Sequence, residues 1–225
     1  MTSPTPPSLD IQSSLHQIQT SVGIIRGYFD LFCMDPSREN KETMGEEIYY
    51  LSRMLEKLSQ FYDPAKREAS QDVKEIEVLK FLQGLFQTFQ KQNKNHSFSL
   101  AAEGVPKDFC IATDAFFLEE CLRALLENAF KHTPPQKEIT LGANTEKGKM
   151  TIFVANFGVG IPQKLQQSIF EPFFQVKKDY RSPGLGLSIA KKFADILRHP
   201  LDIESDGKNY VRFSLTIPSS FFIKP

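Results

Sequence analysis

The chain has 225 residues, which is room for one large domain or two small ones. Lys plus Arg and Asp plus Glu both number 27, so the formal net charge is zero and no broad field attracts nucleic acid or an anionic membrane. Three unclustered cysteines, Cys33, Cys110 and Cys121, argue against a disulfide framework and a zinc site, and favour buried thiols in a reducing compartment.

The first predicted element is a long helix that follows a short polar tail. Met1–Ser8 is rich in Pro, Ser and Thr, lacks the charged start and apolar core of a secretion signal, and predicts a flexible tail. From Leu9 to Met34 the apolar residues recur at alternating steps of four and three, which is the heptad spacing of a helix packed against another helix. These residues are Ile11, Leu15, Ile18, Val22, Ile25, Phe29 and Phe32.

A second helix with the same spacing is predicted from Lys41 to Tyr62, after Asp35-Pro36-Ser37 ends the first. Two such helices joined by a short turn form an antiparallel hairpin, which still leaves apolar surface uncovered. We therefore expect residues 9–62 of two copies to form a four-helix bundle, so that the chain is a homodimer. Residues 63–73 are mainly charged and polar and predict a linker. The apolar positions of the second helix are Met44, Ile48, Leu51, Leu55, Leu58 and Tyr62.

Strands and helices alternate from residue 74 to about residue 220, which predicts a second domain of the α+β class with helices on one mixed sheet. A turn is expected at Lys147-Gly148, between two strands. The predicted helices cover residues 75–92, 116–132, 165–170 and 185–197, and the predicted strands cover 97–100, 110–112, 138–143, 149–155, 201–204 and 211–217.

Four short motifs follow one another in this second domain. In Glu127–Thr133, on a helix, the amide oxygen of Asn128 is a suitable ligand for magnesium, although a plain surface asparagine would look the same. Asn156–Pro162 directly follows a strand, and its glycines let the backbone approach a flat ligand whose edge an asparagine can bind. Ile169–Phe174 precedes a polar stretch. Gly184–Leu187 opens a helix, whose free N–H groups favour phosphate.

In this order and spacing, the four motifs resemble the N, G1, F and G2 boxes of the histidine-kinase ATP-binding domain. This GHKL-type fold is shared with DNA gyrase, MutL and related chaperones. The resemblance covers roughly residues 74–218 and implies an α+β sandwich of the Bergerat type, in which nucleotide lies under a mobile lid. On the first helix, Ser14–Val22 resembles the family's H box, and Gly27–Leu31 falls where the family shows a Gly-aromatic-x-acid-Leu run. The chain is thus similar to a sensor histidine kinase core, with a HisKA-type domain at 9–62 and a catalytic domain at 74–220.

The resemblance implies an ATP- and Mg²⁺-dependent kinase that phosphorylates His16. The phosphoryl group would then pass to an aspartate on the receiver domain of a response regulator. A neutral imidazole nitrogen is a competent nucleophile at cytosolic pH. Thr20, one turn after His16, matches the position that orients water when such proteins dephosphorylate their partner. We expect a cytoplasmic location, because no apolar run is long enough to cross a bilayer, and no nucleic-acid partner.

The resemblance also assigns the ATP site residue by residue. Asn128 would coordinate magnesium, Lys131 would lie close to phosphate, and Asn156 stands where the family's adenine-reading carboxylate stands. The remaining residues shape the base pocket (Gly158, Gly160), anchor the lid (Phe170, Phe173), approach the γ-phosphate (Lys177, Lys178, Arg181) or cradle the phosphates (Gly184, Leu185, Gly186, Leu187).

Several positions depart from the family pattern. Ala124 replaces the first asparagine of the N box, Asn156 replaces an aspartate, and Ser182 replaces the first glycine of the G2 box. Gln17 replaces the acidic neighbour of the histidine, and Ser21 the usual proline. Glutamine cannot act as a general base, a role worth about 10²- to 10⁴-fold, so we expect autophosphorylation to be slow.

These departures keep a second hypothesis open, a degenerate phosphotransfer or scaffold protein with weak or no kinase activity. A serine kinase acting on an anti-sigma-type partner would share the ATP domain but would not need the hairpin. An ATPase of the gyrase or MutL kind would need a longer chain with a transducer domain. The remaining histidines, His96, His132 and His199, are predicted to be structural.

Overall fold

The computed structural model of the chain describes residues 72–102, 104–176 and 184–223, together with nine single positions between 22 and 55. The chain divides into two compact units. Residues 64–171 and 186–225 form one unit, and residues 1–63 with 172–185 form the other.

A small antiparallel sheet opens the first of these units. Its strands are β1 (Val73–Glu77), β3 (Cys110–Asp114) and β8 (Phe222–Ile223), in the order β1-β3-β8. Helix α1 (Val78–Gln92) follows β1 directly. The helix predicted from residue 75 is therefore wrong in its first three residues. All five residues of β1 pair with β3, a contact between segments distant in sequence that outweighs the local helical period.

A larger sheet consists of the five strands β2 (Ser97–Ala101), β4 (Glu138–Glu146), β5 (Lys149–Phe157), β6 (Leu201–Ser205) and β7 (Tyr210–Ile217). Their order in the sheet is β2-β4-β5-β7-β6. Only β2 runs parallel to its neighbour, β4. The predicted turn at Lys147-Gly148 is confirmed: both residues have positive φ, 51° and 74°, which suits a tight hairpin between β4 and β5. The expectation of one mixed sheet is wrong, because β1, β3 and β8 form a sheet of their own.

Helix α2 (Ala115–His132) is the central helix of this unit and packs against the large sheet and against α3 (Gly186–Ile196). It begins at Asp114, whose Oδ1 accepts hydrogen bonds from the N–H groups of Phe116 and Phe117 at 2.9 and 3.4 Å. Alternate residues of β7 are buried, as expected for a sheet covered on one face. The α+β sandwich is confirmed. The helix predicted at 165–170 is instead two short 3₁₀ turns, at Gln163–Leu165 and Ser168–Phe170.

Helices α2 and α3 run antiparallel. The rings of Phe117 and Phe193 lie 5.4 Å apart, and one turn further along α2 the thiol of Cys121 donates to the carbonyl oxygen of Ala190 at 3.4 Å. Moving forward along α2 therefore means moving back along α3. The half of α2 that carries Asn128 thus lies towards the first turn of α3, which begins at Gly186.

His199 is a fully buried histidine that follows α3. Its Nε2 lies 3.5 Å from the Thr113 hydroxyl, and its ring packs edge-on against Phe221. Its Nδ1 has no hydrogen-bond partner within the part of the chain that the structure describes. Burial lowers the pKa of His199 to about 4. The neutral ring is therefore the form that the fold accepts.

We expect acid to destabilise the fold through this residue. The pKa of His199 is about 4 in the folded chain and 6.5 for an ordinary histidine. The contribution of its neutral ring to the free energy of unfolding is therefore complete above pH 6.5 and is lost as the pH falls towards 4. The loss is about 2–3 kcal/mol by pH 4.5. Urea unfolding at pH 7 and at pH 4.5 measures this loss. Between the two pH values, the free energy of unfolding should fall by about 2–3 kcal/mol less in His199→Phe than in the parent protein. An equal drop in both proteins would contradict the assignment.

The nine single positions between 22 and 55 all lie in helical backbone. Four of them are heptad positions, and each is about half exposed: Val22, Phe29, Ile48 and Leu55. The rest of the predicted hairpin lies outside the described residues, so the hairpin and the four-helix bundle remain predictions. None of the described helices is both long enough and apolar enough to cross a membrane.

Candidate functional site

The last two turns of α2 carry the first group of predicted site residues. Asn128 is half-buried and Lys131 is exposed. Ala124, one turn earlier, is only 8% exposed, so an apolar core contact stands where the family carries a polar group. Within the described ranges, no cluster of three or more His, Cys, Asp or Glu side chains could hold a metal. A magnesium ion here would rest on the amide oxygen of Asn128, on phosphate oxygens and on water, a donor set that suits this hard cation.

Asn156, near the end of β5, is buried together with Thr133, the first residue after α2. The two residues are 2% and 4% exposed. The Nδ2 of Asn156 donates a hydrogen bond to the Oγ1 of Thr133 at 2.8 Å. Thr133 was not among the predicted site residues, although it is the last residue of the first motif, Glu127–Thr133.

Two glycines of the loop after β5 are required by the fold itself. A Cβ at residue 158 would lie 2.1 Å from the carbonyl oxygen of His132, and a Cβ at residue 160 would lie 2.2 Å from the backbone nitrogen of Lys208. Neither glycine has a positive φ. Close approach of two backbones, rather than an unusual conformation, is therefore what excludes a side chain. The loop is thereby pressed against the end of α2.

The turn between β6 and β7 supports this loop from the other side. The Oδ1 of Asp206 accepts hydrogen bonds from three successive backbone N–H groups, at 2.9 to 3.0 Å. These bonds lower the pKa of Asp206 and so favour its charged form. The N–H of Gly160 donates to the carbonyl of Lys208 in the same turn at 3.0 Å. The position of residues 158–160 is thus fixed at both ends.

The first turn of α3 differs from this loop. A Cβ at Gly186 would meet no atom of the described residues within 4 Å. The turn, which also contains Leu187, has no acidic side chain. A helix N-terminus presents free N–H groups that favour an anion. Because α2 and α3 are antiparallel, this open turn lies towards the half of α2 that carries Asn128.

The segment 172–185 is closed at its base by its own backbone. The N–H of Phe173 donates to the carbonyl of Gly184 at 2.9 Å, and both residues have positive φ, 64° and 69°. A Cβ at Gly184 would lie 2.8 Å from the carbonyl carbon of Phe173, so the segment needs glycine here. Leu185 is fully buried. In the other unit, the half-buried ring of Phe170 packs edge-on against Phe213 at 6.1 Å.

The structure thus describes the α2, β5-loop and α3 parts of the predicted ATP site. The remaining predicted site residues lie outside the described ranges, and their roles remain predictions. They are His16, Gln17, Thr20, Lys177, Lys178 and Arg181.

Comparison with known proteins gives matches over most of the chain. Residues 113–220 match the family of histidine kinase-, DNA gyrase B- and HSP90-like ATPases. The chain is 25% identical over 215 residues to histidine kinase P4 of Formosa agariphila. It is 24% identical over 218 residues to ArlS, a signal transduction histidine-protein kinase of Staphylococcus epidermidis. These alignments cover 90% and 92% of this chain, but only 16% and 47% of the two relatives.

Two solved structures of the histidine kinase ThkA also match. Its catalytic domain alone gives a TM-score of 0.58 at 24% identity, covering 66% of this chain and 96% of that one. Its complex with the response regulator protein TrrA gives a TM-score of 0.73 at 22% identity, covering 91% of this chain and 59% of that one. At these identities the structural likeness shows the fold.

Proposed function

We propose that this chain, whose residues 113–220 form an ATPase domain of the histidine-kinase type, is the catalytic core of a two-component sensor kinase. It binds ATP with Mg²⁺, phosphorylates its own His16, and passes the phosphoryl group to an aspartate of a response-regulator receiver domain. The chain spans 16% of the length of histidine kinase P4 and 47% of the length of ArlS.

The observation that carries ATP binding is the open first turn of α3 at Gly186. The crowded glycines at 158 and 160 are explained by the fold, but nothing in the described protein requires glycine at 186. The turn lies towards the half of α2 that carries Asn128. This arrangement suits a chain of phosphates held by backbone N–H groups at one end and by an amide-bound cation at the other.

The proposed chemistry is a phosphoryl transfer to nitrogen. A neutral ring nitrogen of His16 attacks the γ-phosphorus of ATP, the N–P bond forms, the bond to the β,γ-bridging oxygen breaks, and ADP leaves. The ring proton passes to solvent, because Gln17 cannot accept it. When bound, Mg²⁺ neutralises charge on the phosphates. Asn128 would hold this ion through its amide oxygen, and the N–H groups at the start of α3 would hold the phosphates.

Two further parts of the proposal have separate support. The half-exposed heptad residues Val22, Phe29, Ile48 and Leu55 support a homodimer through residues 9–62, because pairing would cover them. The ThkA structure with TrrA supports a response regulator as partner. Thr20 would then orient water if the chain also dephosphorylates that partner.

A scaffold function without kinase activity is the second candidate. The observation that favours it is Ala124, which is buried as a core residue where the family carries a second polar group near magnesium. Gln17 also favours this candidate, because glutamine replaces the acidic neighbour of His16 and cannot act as a general base. This candidate keeps the bundle and His16 but makes little or no phosphohistidine.

Calorimetry with ATP and Mg²⁺ tests the binding site. We expect Gly186→Ala to weaken ATP binding by about tenfold, because the methyl group of the alanine would occupy the space in which a phosphate binds. Gly84→Ala is the matched control: Gly84 is also helical and exposed, and no atom of the described residues lies within 4 Å of its Cβ position. It should leave affinity unchanged. Absence of binding to the parent protein at millimolar ATP contradicts the proposal, and equal affinities of the parent and Gly186→Ala contradict the role of Gly186.

A further inference from the structure

Gln166 is a half-buried residue between the two 3₁₀ turns, and in the sequence it falls between the motifs Asn156–Pro162 and Ile169–Phe174. Its Nε2 donates hydrogen bonds to two backbone carbonyl oxygens, that of Ile161 at 3.1 Å and that of Ser205 at 3.3 Å. Ile161 belongs to the loop after β5, and Ser205 is the last residue of β6, 44 residues further along the chain. One side chain thus joins this loop to a distant strand.

The partners of Gln166 fix which way its amide points. A backbone carbonyl oxygen can only accept a hydrogen bond, and the amide nitrogen carries two N–H groups, one for each carbonyl. Turning the amide over would place Oε1 against both carbonyl oxygens, and acceptors repel one another. A donor is therefore required at this place, and neither an ionised glutamate nor an apolar side chain of the same length supplies one.

The bonds of Gln166 close a ring with Ser205 and with the backbone of Ile161. The N–H of Ile161 donates to the Oγ of Ser205 at 2.9 Å, so both polar groups of the Ile161 backbone are held. The same Oγ donates to the carbonyl oxygen of Tyr210 at 2.5 Å, which ties the ring to β7. Because Ile161 directly follows Gly160, this ring holds the loop that the sequence predicts to shape the base pocket.

A binding loop that is held in one position binds its ligand more tightly than a loop that samples several positions. The apparent dissociation constant rises in proportion as the competent fraction of the loop falls, and ordering a loop on binding costs free energy. Without the Gln166 amide, the carbonyl oxygens of Ile161 and Ser205 each lose a donor. Residues 158–161 would then be freer to shift.

We propose that Gln166 is a positioning residue of the nucleotide site: its amide holds residues 158–161 in the position that binds ATP. Gln166 acts through the backbone of Ile161 rather than through contact with the nucleotide. The inference rests on the proposed function, since it presumes that this loop borders a bound nucleotide.

Calorimetry with ATP and Mg²⁺ on the full chain tests this role. Gln166→Met removes both N–H donors at nearly the same length, and we expect ATP affinity to fall by about tenfold. The number of ATP molecules bound per chain should stay that of the parent, because the fold is retained and only the loop is freed. Gln167→Met is the matched control: Gln167 is the exposed neighbour of Gln166, and its substitution should leave ATP affinity unchanged.

Gln166→Glu is a second variant, with Gln167→Glu as its control. The carboxylate keeps the size of the side chain but has no donor at neutral pH. We expect Gln166→Glu to weaken ATP binding at least as much as Gln166→Met does. The loss should also exceed that of Gln167→Glu, which adds the same charge one residue away.

The inference is overturned if Gln166→Met binds ATP as tightly as the parent, or if either Gln167 variant loses as much affinity as its Gln166 counterpart. Fewer ATP molecules bound per chain at unchanged affinity would show that Gln166 serves only the stability of the fold. Loss of the folded circular-dichroism spectrum in both Gln166 variants would lead to the same conclusion. Absence of ATP binding to the parent protein refutes the proposed function itself, before any variant is compared.

Discussion

Phosphorylation of the chain by γ-labelled ATP is expected to disappear in His16→Gln, with a loss of about a hundredfold or more. Glutamine keeps a polar side chain of similar size but has no nucleophilic ring nitrogen. ATP affinity should remain that of the parent, because residue 16 lies outside residues 113–220, which match the ATPase family. Labelling and ATP affinity, measured together, distinguish a variant that has lost the phosphate acceptor from one that has lost nucleotide binding.

His132→Gln is the control for this experiment. The chain has four histidines, of which His199 is fully buried and His132 is exposed at the end of α2. His132 is thus a competing acceptor within the ATP domain. We expect labelling to survive in His132→Gln. Label that persists in His16→Gln and disappears in His132→Gln would reassign the acceptor.

Gly158→Ala should destabilise the chain by about 2–3 kcal/mol. Its Cβ would lie 2.1 Å from the carbonyl oxygen of His132 and 3.0 Å from the Nδ2 of Asn156, and the first of these atoms belongs to backbone that cannot rotate away. The loop would have to shift, and the Asn156 amide with it. We therefore expect a weaker affinity for ATP as well as a lower free energy of unfolding.

The same substitution at Gly84 should have the opposite sign. Gly84 lies exposed in α1, and among the residues that the structure describes no atom comes within 4 Å of its Cβ position. Alanine should therefore raise the free energy of unfolding by about 0.5–1 kcal/mol. Chemical unfolding followed by circular dichroism measures both variants. A Gly158→Ala protein as stable as the parent would show that residues 156–160 can move away from α2 at little cost.

The elements with a strong local pattern could be predicted from sequence. The helix predicted over 116–132 is observed as Ala115–His132, and the strand predicted over 149–155 as Lys149–Phe157. The strands β1 and β8 were not predicted, because each forms by pairing with β3, a segment distant from it along the chain.

The sequence could not distinguish the physical environments of the predicted site residues. Gly158 and Gly186 look alike in sequence, as glycines of ligand loops. The structure separates them, since one is crowded by backbone and the other borders open space. Thr133 was not predicted, because its hydrogen bond with Asn156 joins two elements that are separated along the chain, and the spacing of residues in the sequence does not reveal such a contact. Ala124 was predicted as a departure, and its burial explains how the fold accommodates it.

The central claim is that the chain makes phosphohistidine, and the chemical stability of the bound phosphate tests it most directly. The full chain is incubated with γ-labelled ATP and Mg²⁺, and the labelled protein is then treated with acid and with base. The account predicts slow labelling that is lost in acid and survives in base, as expected for a phosphate on nitrogen. Label that survives acid, or no label in a protein that binds ATP, would contradict it.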